Sequence, residues 1–402
     1  MNAQLARVET ARWRWHAARN VLAVRLDNLG DLLMTTPALA AVRCSLPKAR
    51  LTLLTSPSGA VLAPHLPVVD DVIAFEAPWV RSTHLGSASE TAMLGQAEAR
   101  MIDRLAEGAF DAAIIFTVCT QSALPAALLC RLAGIPLRLA HSRENPYDLL
   151  SDWVVDTEIF GDGMRHEVER QLALVAAVGL HPQDERLRFS YAAGDAWRLR
   201  DRLSAAGLDP YKPYFVVHAG ATASSRRYPA EQFGRAAEQI VLQSGCTAIF
   251  TGDAGERALI AQARAVMTQP SLSLAGELPL GELAALIAGA EVLVSNNTGP
   301  VHIAAAVATP VVDLYALTNP QHTPWKVSSR VLNHPVPCRN CLKSECPLGH
   351  HDCLEKVDPQ AIVRASIELM GPGPAVPLNS AVMSSVLRQR PVERSMLAQA
   401  TR

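Results

Sequence analysis

Net charge is almost absent from this 402-residue chain: 37 lysines and arginines face 38 aspartates and glutamates, for a formal charge of −1. General nucleic-acid binders carry a basic excess, so that class is excluded as a starting point. Charged residues make up only 19% and hydrophobic residues 49%, which excludes a disordered or fibrous chain. Nucleotide signatures are missing as well. No G-x-x-x-x-G-K-[ST] occurs, and no G-x-G-x-x-G follows the first apolar strand, so the P-loop and dinucleotide readings lose their support. Nor is there a clean membrane segment. Ala112 to Cys130 is uncharged, but Thr117, Thr120, Gln121, Ser122 and Pro125 interrupt it, and it reads as a buried strand, a turn and a buried helix. Met1 to Asn20 holds Arg7, Arg12, Arg14 and Arg19 without an apolar core or cleavage site, unlike a secretory signal. Arg12 to Trp15 are expected to form a frayed, solvated terminus.

Eight cysteines are present. Cys44, Cys119, Cys130 and Cys246 lie singly in apolar segments, as small core residues do in a reducing compartment. The other four, Cys338, Cys341, Cys346 and Cys353, share one short stretch with His350 and His351. A C-x-x-C pair with two later cysteines fits a tetrahedral structural zinc site, and it equally fits reduced thiols packing a loop.

Short apolar runs alternate with helical patterns, the signature of an α/β protein. One series begins with the strand Val21–Leu26 and a helix from Asp31 to Cys44. After a less regular region, a second series begins with YFVVHAG at Tyr214. Length and this doubling predict two Rossmann-like domains facing a central cleft, joined near Gly194–Pro213. The boundaries are placed at 20–193 and 194–371. The second domain includes a Cys-rich segment at 338–353 and a closing helix, Pro359 to Met370. A loose tail is expected at 372–402.

Ligands in such sheets bind beyond the carboxyl ends of the strands, and three loops there carry suitable chemistry. After the first strand come Asp27, Asn28, Leu29, Gly30 and Asp31. The glycine suits a tight turn, and Asp31 is either a helix cap or a general base at the cleft rim. Strand EVLVS ends at Asn296, Asn297, Thr298, Gly299 and Pro300 before a helix. That is either an ordinary cap or a phosphate site built from free N–H groups and the helix dipole. The loop after YFVVH offers Thr222, Ser224, Ser225, Arg226 and Arg227, whose hydroxyls and guanidinium groups suit phosphate recognition. Asp253, after strand CTAIFTG, is a candidate ribose acceptor.

The segments RLDNLGDLLMTTPAL, HAGATASSRRYP and LGELAALIAGAEVLVSNNTGPVHIAAAVATPVVDLY resemble the successive signatures of glycosyltransferase family 9, over about Val21 to Val363. The resemblance implies a GT-B fold with an N-terminal acceptor domain, a C-terminal nucleotide-sugar domain and a closing helix that returns to the first domain. It implies inverting transfer of heptose from ADP-heptose to the lipopolysaccharide inner core. Asp31 then stands as general base, Arg226 as the basic loop residue, and Asn297, Thr298 and Gly299 as the diphosphate motif. Two positions depart from the family pattern: Asn297 replaces an aspartate and Arg226 a lysine. A lipid-linked saccharide acceptor is also implied. The enzyme would be cytoplasmic, with peripheral contact at the cytoplasmic face of the inner membrane and no nucleic-acid partner. No Asp-x-Asp motif occurs, so no metal cofactor is expected in catalysis, and Arg226 with the helix N-terminus would stabilise the leaving group. Two alternatives stay open: transfer from another nucleotide sugar, and a non-catalytic sugar-nucleotide-binding or scaffold protein.

Overall fold

Leucine- and valine-rich runs buried on both faces suit parallel strands, and such runs dominate both halves of the chain. The computed structural model describes residues 12–80, 94–159, 161 and 163–371. The expected tail at 372–402 lies outside them. Strands β1 (Asn20–Arg25), β2 (Arg50–Thr55), β3 (Asp71–Ala74), β4 (Ala112–Ile115), β5 (Leu137–Ser142) and β6 (Asp152–Val155) form one parallel sheet in the order β3-β2-β1-β4-β5-β6. Strands β7 (Tyr214–His218), β8 (Thr247–Thr251), β9 (Ser271–Ser273), β10 (Leu293–Asn296), β11 (Val311–Leu314) and β12 (Ser329–Leu332) form a second, ordered β12-β11-β10-β7-β8-β9. Numbered within its own half, each sheet runs 3-2-1-4-5-6, the doubly wound Rossmann order. The chain reverses direction across the sheet between β1 and β4 in one half and between β7 and β10 in the other. The α/β architecture expected from the sequence is what the structure shows. Edge strands β6 and β12 were not legible as apolar runs, because each keeps residues outside the core.

Helix α1 (Leu29–Ser45) follows β1 and starts two residues before Asp31. It packs against α2 (Glu167–Ala176). The expected connection near Gly194–Pro213 contains helix α3 (Ala193–Ala205), which packs on α5 (Leu280–Ala288) beside the second sheet. Helix α6 (Gly299–Val307) follows β10. The closing helix α7 (Pro359–Met370) does not return to the first domain. It packs on β11, β12 and helix α4 (Ala230–Ser244), and Ile362, Val363 and Ala365 enter the second sheet's core.

The N-terminal expectation fails too. Residues 12–17 are helical, and Trp15 is fully buried. Its Nε1–H donates to Asp152 (3.1 Å), which Arg14 also engages. Composition showed arginines, whereas an indole can be buried only where its N–H meets an acceptor, and edge strand β6 supplies one. Trp13 alone of the two tryptophans stays exposed. No helix among the described residues is long and apolar enough to cross a membrane.

One apolar cluster runs from the first sheet into the second, through α1 and α6. Gly30 lies inside α1 without positive φ, so a turn is not what requires it. A Cβ there would sit 3.1 Å from the His302 ring, and one on Gly299 would sit 3.0 Å from Leu29. The two glycines let the N-terminal turns of α1 and α6 approach each other across the interdomain gap.

Candidate active site

Asp31 occupies the third position of α1, directly beyond the carboxyl end of β1. Its carboxylate accepts the Asn28 N–H, so it does cap the helix, yet its side chain remains 15% exposed on the cleft side. Below it lies Arg25, fully buried, with Nε 2.8 Å from Asp27, Nη1 2.9 Å from Glu167 and Nη2 3.6 Å from Asp31. Three carboxylates thus share one guanidinium. Burial pushes the Asp31 carboxyl above its ordinary range, with Glu167 adding to the effect and Arg25 and Arg226 opposing it. Burial likewise raises Asp27 to about 6, although Arg25 and the Gln121 amide (2.6 Å) pull it down. Glu167 also suffers burial, but Arg25, His322 and Arg170 outweigh that cost and hold its carboxyl low.

The second half contributes the opposite wall. Arg226 follows β7, and with Asn297, Tyr315, Asn319 and His322 it lines a small cavity. Its charge is near enough to Asp31 to lower that carboxyl's pKa, although no hydrogen bond or ion pair joins the two. Thr298 takes the N-cap position of α6 but makes no side-chain cap; its hydroxyl turns back to the Asn296 carbonyl (3.3 Å). The Gly299 N–H is therefore not used up by a side-chain cap, as an anion site requires, whereas Pro300 has no N–H and that of Val301 bonds the Thr298 carbonyl (3.0 Å). Asn297 is different. Its Nδ2 donates to Asp313 and to the His322 carbonyl (both 2.9 Å), so this side chain braces the site from behind.

The remaining predicted residues are less central. Thr222 and Ser224 are exposed on the loop, and the Ser224 hydroxyl reaches toward the Ser344 carbonyl (3.5 Å). Asp253 is exposed and caps a short turn by accepting the Glu256 N–H (3.0 Å). Glu256 lies deeper: a Cβ on Gly220 would collide with its carboxylate at 2.0 Å, which places that carboxylate against the phosphate-type loop.

The family model for glycosyltransferase family 9 (heptosyltransferase) matches residues 99–351. This chain belongs to glycosyltransferase family 9. Lipopolysaccharide heptosyltransferase 1 of Pseudomonas aeruginosa is 28% identical over 331 residues, covering 81% of this chain and 87% of that one. Lipopolysaccharide heptosyltransferase 2 of Escherichia coli is 24% identical over 357 residues, covering 85% and 96%. Among solved structures, a family 9 glycosyl transferase from Veillonella parvula superposes with a TM-score of 0.70 at 18% identity, over 88% of this chain and 97% of that one. The E. coli ADP-heptose lipopolysaccharide heptosyltransferase II gives 0.67 at 22%, over 87% and 98%. The fold of this glycosyltransferase is GT-B, as expected.

Several residues around this candidate site were not singled out from the sequence: Arg25, Glu167, Glu256, Gln321 and His322. Arg25 did leave a signal, since a lone arginine in the apolar strand VLAVRL must find partners when buried. Glu167 left none, because it opens helix α2 rather than a loop after a central strand; Gln321 and His322 do follow β11, at a loop the sequence reading passed over. The segment 315–326 crosses to the first half. Gln321 is fully buried; its amide donates to the Arg165 carbonyl (2.9 Å) and its carbonyl accepts the Glu167 N–H (3.0 Å).

The Cys-rich segment braces this site. Ser225 N–H and hydroxyl donate to the Ser344 and Lys343 carbonyls (3.1 and 2.8 Å), and Leu342 N–H donates to the Thr318 carbonyl (2.8 Å). Burial, together with Cys346, Cys338 and Cys341, pushes up the Cys353 thiol, so the four are neighbours. Cys338 Sγ lies 3.6 Å from His350 Nε2. Among the described residues, no three His, Cys, Asp or Glu side chains converge as metal ligands do.

Proposed function

We propose that this glycosyltransferase moves heptose, with inversion, from ADP-heptose to a lipopolysaccharide inner-core acceptor. Residues 20–193 serve as acceptor domain and 194–371 as nucleotide-sugar domain. Asp31 takes the proton of the acceptor hydroxyl as the bond to the anomeric carbon forms. Arg226 and the amides at Thr298 and Gly299 hold the departing diphosphate. The observation that carries this reading is the proximity of a cleft-facing carboxylate held above its ordinary pKa to Arg226 and an uncapped helix N-terminus. Heptosyltransferase relatives that align over most of their length support heptose as the transferred sugar. The enzyme works in the cytoplasm, in peripheral contact with the inner-membrane face where a lipid-linked acceptor is presented. Transfer assays with ADP-heptose, and thermal shifts across ADP-, UDP- and GDP-sugars, test the donor. Stabilisation by a UDP- or GDP-sugar alone would replace it.

Removing the guanidinium in Arg226→Ala should weaken donor binding by about 1.5–3 kcal/mol, the range for a charge-assisted hydrogen bond. Isothermal titration with ADP checks this, and unchanged affinity and turnover would place Arg226 outside the donor site.

Catalysis by this reading needs no metal, because the guanidinium and helix dipole supply the positive charge. Cys338, Cys341, Cys346 and Cys353 do not converge as ligands in this structure, so to hold a structural zinc they would have to draw together, which would stiffen the loops at 224–226 and 317–319. Protein purified reduced and without chelators should hold about one zinc. Metal analysis that finds none would leave the thiols as loop packing. Activity lost to a chelator and restored by Mg²⁺ or Mn²⁺, with the fold intact, would overturn metal-independent transfer.

A further inference from the structure

We propose that His322 is the positioning residue of the base: its Nε2–H completes a hydrogen bond that keeps the Asp31 carboxylate ionised and aimed at the acceptor hydroxyl. This deepens, and rests on, the reading of Asp31 as the base. His322 Nε2 stands 4.0 Å from Asp31 Oδ1 and finds no hydrogen-bond partner among the described residues, although it is enclosed. A buried donor without an acceptor is costly. A swing of about 1 Å brings the pair to hydrogen-bond distance.

The backbone of His322 is fixed while its ring is not. Its N–H donates to the Tyr315 hydroxyl (3.2 Å), and its carbonyl accepts from Asn297 (2.9 Å). The preceding Gln321 ties this segment to Arg165 and Glu167 of the first half. The imidazole is thus presented to Asp31 by a clamp that both halves share. From the first half Asp31, Arg25, Asp27, Glu167 and His166 act on it; from the second, Arg226 and His302 do. Burial pushes the imidazole down to about 4, so near neutral pH it is uncharged, and the tautomer with its proton on Nε2 is the one that can donate to Asp31. Arg226 and α6 already serve the diphosphate side, which leaves the base as the natural recipient of this N–H.

The test compares wild type, His322→Phe, His322→Gln and Asp31→Asn by kcat, donor KM and the pH dependence of kcat, each with a melting temperature. The donor is whichever nucleotide sugar the wild type uses. His322→Phe keeps the ring volume and should lower kcat about ten- to a hundredfold, the scale of a small misplacement of a reacting group, with donor KM within about threefold of wild type. The acid limb should also move to higher pH, because a hydrogen bond to the ionised form holds a carboxyl pKa down. His322→Gln restores an N–H near the Nε2 position and should recover most of kcat and return the limb. The proposal is overturned if His322→Phe keeps wild-type kcat and limb, if the Gln variant fails as badly as the Phe variant, or if KM rises at unchanged kcat. A fully active Asp31→Asn would sink the base reading and this inference with it. An inactive Asp31→Asn beside an unaffected His322→Phe would sink this inference alone.

Discussion

Asp31→Asn is expected to bind ADP-heptose nearly as the wild type does and to transfer it at least about a hundredfold more slowly. A sugar hydroxyl is a poor nucleophile at neutral pH, so its attack depends on a positioned base. Of the two roles that sequence spacing left open, the structure shows the cap, and this substitution tests the base. Asp31 caps α1 by accepting the Asn28 N–H, and the Asn side chain offers an oxygen to the same donor. The cap therefore survives the substitution while the base does not. Because burial holds the Asp31 carboxyl above its ordinary range, wild-type kcat should fall on acidification before an ordinary aspartate would protonate. That limb should vanish in Asp31→Asn. Steady-state kinetics from pH 5 to 8 with a melting curve check both points. Full turnover in the variant would reduce Asp31 to a helix cap.

The largest loss of stability should follow Arg25→Met. Arg25 is fully buried and is the cation shared by Asp27, Asp31 and Glu167. Breaking a buried ion pair costs roughly 3–5 kcal/mol, because the carboxylates left behind keep neutral hydrogen-bond donors but lose their compensating charge. The pH dependence has a definite sign. Glu167 is held below its ordinary pKa, so in the wild type its pairing is present above the unfolded pKa and lost as pH falls through the lower, folded value. Without Arg25 the buried carboxyls titrate above their unfolded values, and the variant loses stability as pH rises through that window. The gap between variant and wild type should widen from acid toward neutral pH. Urea unfolding at several pH values measures it. Adding Glu167→Gln to Arg25→Met removes one stranded charge and should recover part of the loss, which a double-mutant cycle would read as coupling. A constant gap, or none, would show that the cluster is not held by charge.

Sequence patterning alone determined the α/β alternation, the two Rossmann-like halves, most central strands and the loops that bear Asp31, Arg226 and Asn297–Gly299. Those features are local. Parallel central strands are apolar throughout, and the residues after them fall at the ligand end of the sheet whatever the rest of the chain does. Edge strands β6 and β12, the buried Trp15 and the placement of α7 were decided by partners distant in sequence. Asp152 accepts the Trp15 indole N–H, and the helix at 230–244 receives α7. Gly30 and Gly299 looked like turn and ligand-approach glycines, but their need for small side chains comes from two helices meeting across the gap. The chemistry divides in the same way. Sequence could name a carboxylate and a guanidinium at two strand ends. Only the tertiary structure joined them to Arg25, Glu167 and His322, because burial far from sequence neighbours is what moves a pKa and strands an imidazole beside a base.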